Sequence, residues 1–310
     1  MRMTTTEIPG WFRWVDQQLF RAILADQADG PPGDVVEIGT YLGKSAVLIG
    51  EYVRPVERFV AVDLFGRTDL LAGAEANRRE VDKSYKSLTR SKFEENYLSR
   101  HPALPYVVEG PSSWVVDHVE PGSVRFCHID ASHLYEHVRT DVQNARTMLR
   151  PGGVVVFDDW RTEHTPGVAA AVWESVFVDG LIPVVLTPTK FYGVYAEPAA
   201  LARNAEQVVA TSGEFWAERQ DIAGHSVLRM RLQQPPKPPP PPPVDYDRVE
   251  ALTAGAIDDR LEQWSATLTR SLDSQVRRAA LDASSITRGR RWLRRLSRRA
   301  TSPAAKPEGR

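Results

Sequence analysis

Apolar residues recur along the chain in two rhythms. Over 11–28, Phe12, Val15, Leu19 and Ile23 fall three and four apart, which predicts an amphipathic helix stopped by Gly30-Pro31-Pro32-Gly33. Beyond it, short apolar runs alternate with helical stretches. The runs are Val35-Val36-Glu37-Ile38, Phe59-Val60-Ala61-Val62-Asp63, Tyr106-Val107-Val108, residues 124–130, and Val154-Val155-Val156-Phe157-Asp158. Between the last two, Leu134, Val138, Val142, Ala145 and Leu149 share a helical face, closed by Arg150-Pro151-Gly152-Gly153. Near-continuous apolar runs are strands covered on both faces, as in a parallel sheet. Their alternation with helices predicts an α/β fold, a doubly wound and mostly parallel sheet. Residues 182–186 and 192–195 read as two final strands joined at Thr187-Pro188-Thr189, giving seven in all.

Elsewhere the rhythm breaks. The segment 64–105 is polar and too long for a simple crossover, with a helix near 91–98. Such an insertion at strand ends reads as a lid or substrate loop, against the rival reading of surface decoration; Tyr85, Lys86 and Tyr97 are its lid candidates. Residues 199–232 read as a helix followed by an extended run from Ser226, completing a domain over 1–234. A polyproline spacer follows at 235–243. Then Leu252, Ile257, Leu261, Trp264, Leu268, Leu272 and Val276 mark an amphipathic helix over 244–287, ahead of a basic tail at 288–310 expected to be disordered or interfacial.

Composition narrows the class. With 310 residues, 42% hydrophobic and 25% charged, the chain is neither collagen-like nor wholly disordered. One cysteine, Cys127, excludes an internal disulfide and a thiolate metal cage. That count, with no apolar leader and no run near the ~20 residues of a spanning helix, makes a cytoplasmic setting the expectation. The overall charge of −1 conceals an asymmetry: residues 284–310 hold nine basic side chains against Glu308, a net +8, leaving −9 on 1–283. With Trp292, Leu293 and Leu296 among its arginines, the tail suits an anionic membrane surface, hence a peripheral location, or an acidic partner. The acidic body makes nucleic acid an unlikely substrate. A homo-oligomer stays open.

Two constellations carry chemistry, both at carboxyl ends of strands, where open α/β sheets bind ligands. The first is Glu37-Ile38-Gly39-Thr40-Tyr41-Leu42-Gly43-Lys44-Ser45. A Walker A loop needs four residues between its glycine and Gly-Lys-Ser, and only Thr40, Tyr41 and Leu42 lie there; a dinucleotide fingerprint needs glycine at Tyr41. A tight structural turn is the plain alternative. Glu37 would repel a polyphosphate but suit a ligand with a cationic amino-acid end. Asp63, ending the next strand, is placed to accept hydrogen bonds from ribose hydroxyls. Acid, glycine loop and second acid describe S-adenosylmethionine binding. On these residues the sequence resembles the class I S-adenosylmethionine-dependent methyltransferases over roughly 33–196. The resemblance implies a cofactor site at Glu37, Gly39, Thr40, Tyr41, Gly43, Ser45, Asp63 and Asp130. It also places Glu109-Gly110-Pro111-Ser112 beside the adenine. Tyr41 stands where the family usually has another glycine.

The second constellation is His128-Ile129-Asp130-Ala131-Ser132-His133 with Phe157-Asp158-Asp159-Trp160. Three carboxylates at the ends of adjacent strands crowd negative charge unless a cation joins them, and oxygen-rich sites suit Mg²⁺. The plain alternatives are Asp130 as a helix cap and Asp158-Asp159 as a solvated turn. A zinc reading of His133 and His137 lacks the adjacent glutamate of a metalloprotease motif. This set looks like that of the metal-dependent macrocin- and mycinamicin-type sugar O-methyltransferases. That likeness implies Asp130, Asp158 and Asp159 as ligands of Mg²⁺ or another divalent cation, and His133 with Asp130 as the catalytic pair on an acceptor hydroxyl. Where related enzymes carry glutamate this chain has Asp158, whose shorter arm could make its metal contact water-mediated. His128 reads as packed, His164 as a contact to the acceptor, and Trp160 as either a sugar wall or core. The expected acceptor is a small-molecule hydroxyl, on a sugar or glycosylated metabolite. The alternatives are a phenolic or catechol-like acceptor, or a binding module without turnover.

Overall fold

The computed structural model describes residues 7–70, 88–233 and 260–277. The chain divides into two compact units, Met1–Pro235 and Pro236–Arg310.

In the first unit the strands are β1 (Asp34–Ile38), β2 (Phe59–Asp63), β3 (Tyr106–Glu109), β4 (Val124–Ile129), β5 (Leu149–Phe157), β6 (Ile182–Leu186), β7 (Phe191–Val194), β8 (Phe215–Ile222) and β9 (His225–Leu232). The helices are α1 (Trp14–Ala28), α2 (Lys44–Gly50), α3 (Arg90–Leu98), α4 (Tyr135–Met148), α5 (Pro166–Glu174) and α6 (Ala199–Ser212). One sheet runs in the order β3-β2-β1-β4-β5-β7-β6-β9-β8. β1 to β5 pair in parallel, and β7 lies antiparallel between β5 and β6.

Strand residues alternate between two layers, because successive side chains point to opposite faces. Val35, Phe126, Val154, Val156 and Tyr192 join the apolar layer of α1, α2, α3 and α6. Val36, Ile38, Cys127, Ile129, Val155 and Phe157 join that of α4 and α5. Every position of β4 is buried, as a strand covered on both faces requires.

The sheet has nine strands among the described residues, not the expected seven. The addition is the β8–β9 hairpin, extending the β6 edge, with β9 on the extended run expected from Ser226. Its outer strand β8 exposes Glu218, Arg219, Gln220 and Asp221 and buries only Phe215 fully, so no apolar alternation announced it. Within the insertion, α3 belongs to the body of the fold: Phe93 and Tyr97 are buried against α2, and the Asn96 side chain donates to the Leu42 carbonyl at 2.8 Å. Tyr97 is therefore a core residue rather than part of a lid. Tyr85 and Lys86 lie outside the described residues, as do the polyproline spacer and the basic tail.

In the second unit, residues 260–277 form a helix within the range expected to be helical; Leu261, Trp264, Leu268, Leu272 and Val276 are exposed on it. No helix among the described residues is long and apolar enough to cross a membrane.

Candidate active site

The strand order reverses between β1 and β4, the place where a ligand crevice forms in such sheets. Hydrogen bonding continues just past the strand ends. Asp130 N–H donates to the Ile38 carbonyl at 2.7 Å, Asp158 N–H to Ile129 at 2.9 Å and Gly39 N–H to Val62 at 2.8 Å. Gly39, Asp130 and Asp158 thus leave the sheet side by side, under a cleft of about 1020 Å³.

One half of the cleft is built by the glycine loop. Gly39 adopts φ 82°, and a β-carbon there would sit 1.9 Å from the Asp130 carbonyl oxygen. Glycine is demanded first by the neighbouring chain, and only then by any ligand. Tyr41 is left-handed at φ 48°, a conformation that glycine adopts far more readily. The Asp63 carboxylate fixes this turn. Its Oδ2 accepts from the N–H groups of Thr40 (2.7 Å) and Tyr41 (2.8 Å), and its Oδ1 from that of Phe65 (2.7 Å). Burial pushes its pKa up, against the pull of these three donors. A carboxylate has about four acceptor sites, so Oδ1 retains capacity toward the cleft. Gly110 and Ser112 form the adjoining wall. Trp11 stacks on Tyr41 with ring centroids 5.9 Å apart, and Lys44 Nζ holds the Gly10 carbonyl at 2.8 Å, bringing the segment before α1 onto the cleft.

The other half is built by charge. Asp130, His133, Asp158 and Asp159 all line the cleft. His133 Nε2 lies 3.4 Å from Asp159 Oδ2, and its ring meets His164 edge-on at 6.0 Å. Burial works against the Asp159 charge, but His133 beside it draws its pKa below the usual carboxylate range. Asp159 is left-handed at φ 56°, its carbonyl held by the Thr165 hydroxyl at 2.7 Å. Asp130 is pushed well above the ordinary range by burial and by Asp158 next to it.

Behind these acids lies Lys190, with only 1% of its surface exposed. Its ammonium forms an ion pair with Asp158 Oδ2 and donates to His128 Nε2 at 2.9 Å. Burial alone would neutralise it; Asp158, Asp130 and Asp16 keep it charged. Because His128 Nε2 accepts, the imidazole proton resides on Nδ1 and is given to Glu37 Oε1 at 2.8 Å. Burial holds His128 neutral and raises Glu37 to about 8.

That geometry corrects part of the expected site. Glu37 is fully buried against His128 and is absent from the cleft lining. Gly43 does not line the cleft either; it makes room for Phe93, 3.1 Å from where its β-carbon would stand. Trp160 is core, packed on Trp173 and Phe191. His133 lies two residues before α4, so it and His137 are not a zinc pair on one helix. The cleft does collect Gly39, Thr40, Tyr41, Ser45, Asp63, Ser112, Asp130, His133, Asp158, Asp159 and His164. Trp11, Arg13 and Lys190 were not anticipated. Lys190 is placed only by the structure: antiparallel pairing of Phe157 with Phe191 sets the residue after β5 opposite the residue before β7.

Among the described residues, two groups of side chains have donor atoms within 4.8 Å of one another: His128, Asp130 and Asp158, and Asp130, His133 and Asp159. The first already has a cation, since Lys190 sits on Asp158 and His128, and both nitrogens of His128 are engaged. The second faces the cleft, and its two carboxylates fit a hard divalent cation.

A family model described as a methyltransferase domain matches residues 36–160, from β1 through the acidic pair. Over residues 36–160 the chain is therefore similar to methyltransferase domains. Solved structures of similar fold include CalS11, a TDP-rhamnose 3'-O-methyltransferase of calicheamicin biosynthesis, at 20% identity over 60% of this chain and 82% of that one, TM-score 0.40. The O-methyltransferase NovP gives 19% identity over 59% and 81%, TM-score 0.45. An O-methyltransferase from Bacillus cereus in complex with SAH gives 15% over 73% and 83%, TM-score 0.34. Among curated proteins none matches the chain. The matched residues contain both halves of the cleft, from Gly39 and Asp63 to Asp130 and Asp159.

Proposed function

We propose that this methyltransferase moves the methyl group of S-adenosylmethionine to a hydroxyl of a sugar or glycosylated metabolite. A single observation carries the reading: one cleft joins the Asp63-clamped glycine loop to the Asp130, His133 and Asp159 cluster. Gly39, Thr40, Tyr41, Ser45 and Asp63 would hold the donor, with Ser112 beside its adenine.

An alcohol is a weak nucleophile at neutral pH because it holds its proton tightly. His133, oriented by Asp159, is the group at hand to take that proton, a role worth ~10²–10⁴-fold in rate. Asp130 lies beside it to receive a hydrogen bond from the acceptor. A divalent cation at Asp130 and Asp159, when bound, would stabilise the negative charge that develops on the acceptor oxygen. The rest of the rate would come from alignment of the acceptor oxygen with the donor methyl group. The lining at this end is hydrogen-bonding, with Ser132, His137, Thr140, Thr162 and His164, while Trp160 is turned into the core. Such a surface favours a polyhydroxylated acceptor over a flat aromatic one.

The test uses donor with an isotopically labelled methyl group and a panel of sugars, glycosides and catechols. Label on a sugar hydroxyl, abolished by chelation of divalent cations, is expected. Label confined to catechols would move the acceptor class, and donor binding without any transfer would leave a non-catalytic module.

A further inference from the structure

The acidic end of the cleft holds three carboxylates, but they are not equivalent. Both oxygens of Asp158 are engaged from within the protein: Oδ1 accepts the Asp159 N–H at 2.9 Å, and Oδ2 pairs with the Lys190 ammonium. Lys190 is in turn immobilised, donating to His128 Nε2 at 2.9 Å, with the rings of Phe12 and Phe20 at 5.6 and 6.0 Å. Separating an ammonium this deeply buried from its carboxylate would leave an uncompensated charge, which is costly. Among the described residues, Asp159 forms its ion pair with the cleft-lining His133, and Lys190 reaches it only through the longer-range field.

We propose that Lys190 is the resident counter-ion of the acidic cluster, so that a divalent cation there is ligated by Asp130 and Asp159 while Asp158 is withheld from its coordination. The inference rests on the reading of the site above and deepens it: Lys190 is a positioning residue that sets how many carboxylates face the ligand. It also sets the net charge of the cluster, lowering its pull on cations, since an ammonium within a few ångströms opposes any metal by Coulomb repulsion.

The test is Mn²⁺ binding to the full chain, followed by electron paramagnetic resonance of the free ion, with no turnover needed. Lys190→Met removes the repulsion and releases Asp158, so Mn²⁺ should bind about tenfold more tightly. A lysine that merely held the fold together would give unchanged or weaker binding. The charge-neutral double substitution Asp158→Asn with Lys190→Met should keep affinity within about threefold of the unaltered protein, because neither partner touches the ion; exchange of a buried ion pair for uncharged groups is commonly tolerated. Lys190→Arg, which keeps the charge, guards against a Lys190→Met variant that fails to fold, and should also stay within about threefold. Asp159→Asn should lose more than about thirtyfold. Loss in the double variant as large as in Asp159→Asn would make Asp158 a ligand and overturn the proposal, as would weaker binding in a folded Lys190→Met. Absence of Mn²⁺ binding in the unaltered protein would overturn it together with the cation part of the functional reading. The predicted binding pattern without methyl transfer to any hydroxyl would instead leave the cation site standing and sink that reading alone.

Discussion

Two ion pairs lie buried at opposite ends of the same sheet, and they do different things. At the amino end of β4, Arg125 grips Glu57 with two bonds of 2.9 and 3.0 Å, and spends its other donors on the Tyr52 carbonyl and Gln27. Glu57 also accepts the N–H groups of Gly33 and Arg54, each at 2.9 Å. Burial tends to raise its pKa, yet Arg54 and Arg125 bring it down to about 2. Each charge there is answered within the protein. At the carboxyl end, Lys190 answers Asp158, while Asp130 and Asp159 remain on the cleft. The first cluster is closed and fastens the structure. The second carries surplus negative charge and surplus acceptors, which is what a ligand site requires.

Breaking the closed pair should affect folding and spare chemistry. Glu57→Gln leaves the buried Arg125 without its counter-charge and should lower unfolding free energy by about 3–5 kcal/mol. Turnover per folded molecule should stay within about twofold. Denaturant titration alongside activity checks both halves, and a folded variant with lost turnover would erase the contrast.

A smaller effect sharpens the open end. Asp16 lies under Lys190 and accepts the hydroxyls of Thr187 and Tyr192, each at 2.8 Å, on one oxygen only. Burial raises its pKa from 3.8 to about 6, despite the opposing pull of Lys190. Between those values the folded protein holds a proton that the unfolded chain has released, so stability falls as pH rises through the window, and the penalty persists above it. By difference of the two values this amounts to at most about 3 kcal/mol. Asp16→Asn should flatten that part of the pH dependence of melting between about pH 4 and 6; an unchanged slope would show that Asp16 does not titrate there.

Much of this was legible in the chain. Val154 to Phe157 identifies a central strand because burial on both faces leaves no polar position to confuse the pattern, and Val35 to Ile38 does so with Glu37 as its one polar position. The site residues Asp63, Asp130, Asp158 and Asp159 were visible because acids directly after such strands must emerge at the carboxyl edge. Strand β8 was not legible, since an edge strand with solvated faces has no apolar rhythm. Glu37 misled for the opposite reason: it looks like an acid at a strand tip, but its pairing with β4 opposite His128 keeps it inside the sheet layer. Lys190 follows a turn and reads as solvated until the β5–β7 register is known.

The central claim is that the acidic end acts on the acceptor's proton and leaves donor binding to the glycine loop. Donor affinity by calorimetry and turnover with the same preparation of His133→Ala test it together. Turnover lower by ~10²–10⁴-fold, with donor affinity within about twofold of the unaltered protein, is the predicted result. Full turnover in that variant, or a collapse of donor affinity, would contradict the account.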